Sequence, residues 1–205
     1  MHIYLLLFSL VFTINPAHAE SDFSTWLLKL KEEALTKGIQ PATLAAASPY
    51  LTITNKVSAL ENKQPEFTQT LTGYLNSRIS VRRIELAREH LNDNRSLLDS
   101  ISAQYGVPPR FIVALWAMES DFGRNMGGFS VLSALTTLAF QSRRADYFRR
   151  ELLEALRISD EGHVAPDSML GSWAGAMGQC QFMPWNFNRY AVDYNGDGRR
   201  DIWHT

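Results

Sequence analysis

The apolar residues that follow Phe23 recur every three or four positions, with Lys and Glu between them. This spacing predicts an amphipathic helix, and Gly38 ends it. Pro41 then begins a short alanine-rich helix. A polar loop is predicted from Glu61 to Pro65, after which helical periodicity continues with breaks to about residue 101.

Apart from the N-terminus, the next segment is the most apolar part of the chain. Residues 111–118 are apolar on every side, so we expect protein to surround this helix. Two more helices are predicted at about 130–140 and 143–158. Glycines and prolines in 162–195 predict irregular backbone with one short helix near 177–182. The predicted fold class is therefore mainly α.

The composition changes this picture little. The chain has 205 residues, 45% of them hydrophobic, which suffices for one globular core. Its formal charge of -1 excludes a strong overall electrostatic attraction to nucleic acid or to an acidic membrane. Without a heptad pattern, a monomer is expected.

The N-terminus reads as an export signal. Residues 3–14 are almost unbroken apolar sequence, and Pro16 to Ala19 follows as a small-x-small cleavage pattern. We expect cleavage after Ala19 and no membrane-spanning helix in the mature chain, because the apolar run is short for a bilayer; a retained anchor is the alternative. Cys180 is the one cysteine, so neither a lipid-bearing cysteine near the cut nor an intrachain disulfide is expected.

Glu119 is the one acid in the apolar helix and falls in its last turn. Burial among Leu115, Trp116 and Phe122, together with the negative end of the helix dipole, predicts a carboxyl group that stays protonated near neutral pH. Such a group suits general acid catalysis. The alternative is an ordinary solvated glutamate at a helix end.

A glycoside hydrolase would need a second carboxylate, and Asp121 is the nearest candidate. Two helical positions correspond to a rotation of about 200°, so Asp121 is expected to point away from whatever Glu119 faces. The sequence therefore favours a reaction in which the substrate supplies its own nucleophile.

Several motifs, in order and spacing, closely resemble the lytic murein transglycosylase B family. They are Val107-Pro108-Pro109, Glu119-Ser120-Asp121-Phe122-Gly123, Arg143-Arg144-Ala145-Asp146-Tyr147-Phe148, Gly171-Ser172-Trp173-Ala174-Gly175-Ala176-Met177-Gly178, Gln181-Phe182-Met183-Pro184 and Asp193-Tyr194-Asn195-Gly196-Asp197-Gly198. The resemblance is strong from Tyr105 to Trp203 and weaker before about Pro65.

The resemblance implies a lysozyme-like catalytic domain over 20–205, with an N-terminal helical part at about 20–104 and a catalytic core at about 105–205. It also implies a periplasmic enzyme that cuts the MurNAc-GlcNAc β-1,4 bond of peptidoglycan without water or a required cofactor. Glu119 would protonate the glycosidic oxygen and then accept the proton of the muramoyl 6-hydroxyl, which leaves a 1,6-anhydromuramoyl end. Tethering of that hydroxyl lowers the entropic barrier.

By the same resemblance, further residues are expected to bind substrate. They are Tyr74, Arg143, Arg144, Tyr147, Ser172, Gln181 and Phe182. Arginines suit the carboxylates of stem peptides, and aromatic rings suit sugar faces. The alternatives are local turn hydrogen bonds for the serine and glutamine, a solvated helix start for the arginines and ordinary core packing for the aromatics.

The last motif satisfies the first half of a calcium-loop pattern. Its expected ligands are the side chains of Asp193, Asn195 and Asp197 and the backbone carbonyl of Arg199. The twelfth position is His204, which provides no bidentate carboxylate, so a partial EF-hand-like loop with weak calcium affinity is expected.

The resembling family continues beyond this loop, whereas the printed sequence ends at Thr205. We therefore expect an incomplete form of a longer enzyme or a shortened domain of low activity. A non-catalytic peptidoglycan-binding module is the alternative function, and a muramidase that uses water is a third.

Overall fold

A computed structural model of the chain describes residues 16–61, 63 and 70–204. Within them, helices α1 to α5 span Pro16–Thr36, Pro41–Ala47, Asn55–Glu61, Leu71–Arg78 and Val81–Asp93. Helices α6 to α10 span Arg95–Tyr105, Pro109–Ser120, Val131–Gln141, Ala145–Asp160 and Pro184–Tyr190. A 3-10 turn lies at Ser48–Tyr50, and strands β1 and β2 lie at Phe129–Ser130 and Leu170–Gly171. The predicted mainly α class is confirmed.

Local sequence explains several helix boundaries. The hydroxyl groups of Thr70, Ser80 and Ser130 each accept a backbone N–H in the first turn of the helix that follows. Proline is the first residue of α2, α7 and α10. The first N–H groups of a helix have no partner within it, so the N–H that proline lacks costs no helical hydrogen bond. Gly106 ends α6 in the left-handed conformation.

The main core lies around α8 and α9, which pack extensively against each other. Leu132, Leu135, Leu152 and Leu156 are fully buried there, and burial of each such side chain contributes roughly 1.5–3 kcal/mol. Helices α2 and α10 pack on α9, and α3 packs on α8. The segment that follows α9 therefore rests on a rigid helical pair.

A second, smaller cluster forms where α7 packs against α5 and α6. Val113, Ala117 and Ser120 are buried on this face of α7. On the other face Phe111 is 53% and Leu115 62% exposed. The prediction that protein surrounds this helix on all sides is therefore wrong, because the helix is covered along one face only.

The glycine-rich segment also differs from its prediction. Met177 forms antiparallel bridges with Gly171 and with Phe182, so residues 177–182 are a tight backbone turn and not a short helix. Strands β1 and β2 pair antiparallel beside them. The short helix of this region is α10, which begins at Pro184.

The N-terminal predictions fall mainly on residues outside those described. The expected signal segment, 1–19, overlaps the structure only at Pro16 to Ala19, which form the start of α1. The first predicted helix therefore starts earlier than Phe23. Across the described residues, no helix combines the length and apolar character that crossing a membrane requires. The division of the domain near residue 104 stays a prediction.

Candidate active site

Glu119 lies in the last turn of α7 with its side chain exposed. Trp116 and Phe122 turn inward and pack with His90, whose ring centroid is 4.7 Å and 4.4 Å from theirs. Leu115 points to solvent. The predicted burial of Glu119 among these apolar residues is therefore wrong, because the helix end packs its aromatic side chains inward and leaves the acid outside.

The backbone after Glu119 turns sharply. Asp121, Phe122 and Gly123 all have positive φ, at 53°, 62° and 78°. Ser120 is buried, and its hydroxyl accepts the Gly123 N–H at 3.0 Å. This hydrogen bond stabilises a conformation that non-glycine residues rarely adopt, and it closes the turn that directly follows Glu119 and Ser120.

Asp121 is an ion-paired acid at the helix end. Its carboxylate lies 3.0 Å from Arg124 and 3.5 Å from Arg83. Because its charge is matched by two guanidinium groups, it is poorly suited to act as a second catalytic carboxylate.

The tight turn at 177–182 lies beside Glu119. Burial raises the pKa of the Cys180 thiol, and the nearby charge of Glu119 acts in the same direction. Gln179 fastens this turn to α7, since its Oε1 accepts the Trp116 indole N–H at 2.8 Å. Its Nε2 donates to the Trp203 carbonyl at 3.1 Å. Our sequence reasoning missed Gln179, although it stands two positions before the predicted Gln181.

Ser172 and Gln181 make local hydrogen bonds. The Ser172 hydroxyl accepts the N–H groups of Ala174 and Ala176 at 3.3 and 3.0 Å. The Gln181 Nε2 donates to the carbonyls of Met126 and Gly178 at 3.1 and 2.9 Å. Both side chains thus have the turn-stabilising contacts that the alternative interpretation predicts, and their contact with substrate stays a prediction.

Arg143 and Arg144 line one cavity of about 430 Å³ just before α9. Trp173, from the Gly-Ser-Trp-Ala-Gly motif, forms another part of its wall. The Arg144 guanidinium lies 5.7 Å and 5.0 Å from the ring centroids of Tyr147 and Phe148. The structure therefore brings both predicted arginines together with an indole that the sequence reasoning did not select.

The predicted aromatic residues occupy different surroundings. Tyr147 is half-buried on α9, and burial, followed by the charge of Glu151, raises the pKa of its hydroxyl. Phe182 packs against the main core, as the core interpretation expects. Tyr74 is half-buried on α4, where the Arg78 guanidinium lies 5.6 Å from its ring centroid. Glycan contacts of all three stay predictions.

The calcium-like loop is closed by its own hydrogen bonds. Asp193 accepts backbone N–H groups from Gly196, Asp197 and Gly198 at 2.8 to 3.2 Å. Asp197 accepts the Arg199 N–H at 2.8 Å. Within the described ranges, no group of three or more His, Cys, Asp or Glu residues is arranged to hold a metal ion.

A polar cluster fastens the end of this loop to α10 and to the residues just after α9. The Arg200 Nε donates to His163 Nε2 at 2.8 Å, and its guanidinium also pairs with Glu161 and with the Asn188 carbonyl. Burial, together with the charge of Arg200, lowers the pKa of His163. These contacts anchor the end of the loop to the part of the main core that contains Phe187.

This helical arrangement has the lysozyme-like fold of the lytic transglycosylases. The chain belongs to the Transglycosylase SLT domain family, whose model matches residues 22–205.

Known relatives agree with this assignment. SltB3 from Pseudomonas aeruginosa, solved in complex with NAG-NAM-pentapeptide, aligns with a TM-score of 0.85 and 38% identity over 89% of this chain and 49% of that chain. The Escherichia coli lytic transglycosylase SLT35, solved in complex with calcium, aligns with a TM-score of 0.67 and 35% identity over 74% of this chain and 48% of that one.

The membrane-bound lytic murein transglycosylase B of Escherichia coli strain K12 is 46% identical over 100 residues. That alignment covers 48% of this chain and 28% of the relative. The chain thus spans about half or less of the length of these three proteins.

Proposed function

We propose that this domain is a lytic transglycosylase that cleaves the MurNAc-GlcNAc bond of peptidoglycan and leaves 1,6-anhydromuramoyl ends. The observation that carries this proposal is the placement of Glu119 on the open end of α7, beside the Gln179–Gln181 turn, in a domain of the transglycosylase family. Glu119 acts first as general acid toward the glycosidic oxygen and then as general base toward the muramoyl 6-hydroxyl.

Glu119 is exposed on an apolar part of the surface of α7. Leu115 and Met118 flank it on the surface and are 62% and 46% exposed. A glycan strand laid along this face would exclude water from the carboxyl group, and removal of water disfavours the charged form.

The intramolecular nucleophile fits the surroundings of Glu119. Asp121, the nearest acid in sequence, is held by Arg83 and Arg124. A reaction that closes the muramoyl 6-hydroxyl onto C1 needs no second carboxylate, and the tethered hydroxyl lowers the entropic barrier.

The cavity beside Arg143 and Arg144 would receive the stem peptide. Two guanidinium groups favour carboxylates, and the Trp173 indole offers an apolar wall. SltB3, the structural relative, was solved with a pentapeptide-bearing disaccharide, which supports a peptide-bearing substrate here. Ser172, Gln181, Tyr147, Phe182 and Tyr74 are the further proposed glycan contacts.

A calcium ion at the loop of Asp193 is a lesser part of the proposal. Asp193, Asn195 and Asp197 supply oxygen atoms and Arg199 a backbone carbonyl, which suits a hard cation. Since His204 at the twelfth position supplies no bidentate carboxylate, binding would be weak. The ion would stiffen the loop and take no part in the chemistry. We further propose export to the periplasm through residues 1–19.

A non-catalytic peptidoglycan-binding module remains the second candidate function, and the open apolar face around Leu115 favours it. Digestion of purified sacculi separates the two, because a binding module releases nothing. Mass spectrometry of the released muropeptides should show ends lighter by one water than hydrolysis products. Ends that carry the added water would instead indicate a muramidase.

The Glu119→Gln variant tests the catalytic role within the same assay. Loss of general acid catalysis lowers the rate by about 10²- to 10⁴-fold, while binding to sacculi should persist. Glu85→Gln, at an exposed position of α5, is the matched control and should cleave like the parent. Cleavage by Glu119→Gln at the parental rate would remove Glu119 from the mechanism.

A further inference from the structure

Glu151 is a buried acid in the middle of α9, with 5% of its surface exposed. Its Oε2 accepts the backbone N–H of Trp185 at 2.9 Å. Trp185 lies in the first turn of α10, where backbone N–H groups have no partner within the helix. The residue before that helix, Met183, makes no side-chain capping hydrogen bond. Glu151 therefore caps α10 from a neighbouring helix.

The Glu151 carboxylate also interacts with Tyr147, which lies four residues earlier on α9. Residues four apart lie on one face of a helix, one turn above the other. Burial, followed by the charge of Glu151 and a hydrogen bond with its side chain, raises the pKa of the Tyr147 hydroxyl. One buried acid thus interacts with both a predicted glycan-binding residue and the helix that begins at the last residue of the Gln181–Pro184 motif.

We propose that Glu151 is a positioning residue for the glycan site, which holds the Tyr147 hydroxyl and the first turn of α10 in one fixed relation. This inference rests on the proposed function, because Tyr147 is one of its glycan contacts. A hydroxyl held by Glu151 would help to fix the orientation in which the Tyr147 ring meets a sugar face. The turn that carries Gln181 and Cys180 runs directly into α10, so the cap also fixes the end of that turn.

Glu154 offers a matched control one turn further along α9. Its carboxylate accepts the Asn188 side-chain amide at 2.6 Å, so it also joins α9 to α10. Its contacts lie toward the far end of α10, away from Tyr147. A general loosening of α10 should therefore follow from replacing either acid, whereas misplacement of Tyr147 should follow only from replacing Glu151.

Binding to purified sacculi, measured by sedimentation in the Glu119→Gln background, gives the first readout. Glu151→Leu removes both hydrogen bonds and should weaken binding about ten-fold. Glu151→Gln keeps an uncharged acceptor and should lose about three-fold, because charge-assisted hydrogen bonds are the stronger ones. Glu154→Leu should bind like the Glu119→Gln parent. Equal weakening by Glu151→Leu and Glu154→Leu would overturn the proposal.

Ultraviolet difference titration of tyrosine gives a readout that needs no glycan. The difference between each protein and its Tyr147→Phe counterpart reports the Tyr147 hydroxyl. In Glu151→Gln, loss of the neighbouring charge should lower the pKa of Tyr147. An unchanged pKa of Tyr147 would overturn the positioning role of Glu151 and would leave the proposed function untouched. A parent protein that neither binds nor cleaves sacculi would instead overturn the proposed function.

Discussion

The indole of Trp116 donates a hydrogen bond to Gln179, with 2.8 Å between Nε1 and Oε1. This contact ties α7, one turn before Glu119, to the turn that carries Cys180 and Gln181. The other end of the Gln179 amide donates to the Trp203 carbonyl. One side chain therefore holds three separate parts of the chain around the candidate catalytic acid.

Replacing Gln179 with Ala should lower both stability and activity. The Trp116 N–H and the Trp203 carbonyl would lose their partner, and each half-buried polar group left unpaired costs about 1–3 kcal/mol. A shift of the turn by about 1 Å relative to Glu119 is enough to lower turnover by as much as 100-fold. Urea unfolding and sacculus digestion measure the two effects.

Gln141→Ala is the control for that substitution, because Gln141 accepts its hydrogen bond from Ser58 on the exposed surface. Its free energy of unfolding should stay within about 0.5 kcal/mol of the parent. If Gln179→Ala were as stable and as active as Gln141→Ala, the bridge through Gln179 would have no structural role.

Two adjacent glycines make a second matched pair. Gly127 has a φ of +89°, and a Cβ added there would lie 2.2 Å from the Gly171 carbonyl oxygen of β2. A Cβ added to Gly128 meets nothing within 4 Å. Gly127→Ala should therefore lower the free energy of unfolding by about 1–3 kcal/mol or more, whereas Gly128→Ala should stay within about 1 kcal/mol of the parent. Equal stabilities would show that β2 moves aside without strain.

The helices could be predicted from the sequence where one face of each is apolar, as around Phe23 and in α8 and α9. The surroundings of α7 could not. An apolar pattern shows which side chains favour burial but not what covers them. Phe111 and Leu115 lie on the face of α7 that α5 and α6 do not reach. The burial expected for Glu119 failed for the same reason.

The backbone turn at 177–182 escaped prediction because its conformation depends on individual dihedral angles. Gly178 and Gln181 have φ of 66° and 49°, which a helix cannot contain. The structure puts this turn beside Glu119, and contact of its motif residues with substrate stays a prediction. Gln179 and Trp173 were missed because their importance lies in tertiary contacts, which spacing does not encode.

The free energy of unfolding should depend on pH through the ionisation of Glu151. Burial is the main cause that raises the pKa of this carboxyl above its ordinary value of 4.5. The folded state therefore binds the proton more tightly than the unfolded state. The resulting stabilisation is fully present below pH 4.5 and is lost as the pH rises through the raised pKa of the folded state.

The side chain of the Glu151→Gln variant cannot titrate at this position, so its free energy of unfolding should not fall in this way. Urea unfolding of both proteins from about pH 4 to pH 7 should show the parent losing stability relative to the variant as the pH rises. Curves that stay parallel across this range would mean that Glu151 ionises equally well in the folded and unfolded chains.

Two neighbouring threonines of α8 should respond in opposite directions to the same change. Thr136 and Thr137 are both fully buried. The Thr137 hydroxyl donates to the Ser133 carbonyl at 2.8 Å and accepts the Thr54 N–H at 2.9 Å. The Thr136 hydroxyl has no hydrogen-bond partner among the residues that the structure describes. Valine has nearly the shape of threonine, so each substitution changes the polarity of the site more than its volume.

Thr136→Val removes a buried hydroxyl that is not paired and should raise the free energy of unfolding by about 1 kcal/mol. Thr137→Val leaves the Thr54 N–H without its acceptor and should lower it by about 1–3 kcal/mol. Urea unfolding of both variants under one set of conditions gives the comparison. If Thr136→Val lost as much stability as Thr137→Val, the expected opposite signs would be wrong. The Thr136 hydroxyl would then have a hydrogen-bond partner in solution.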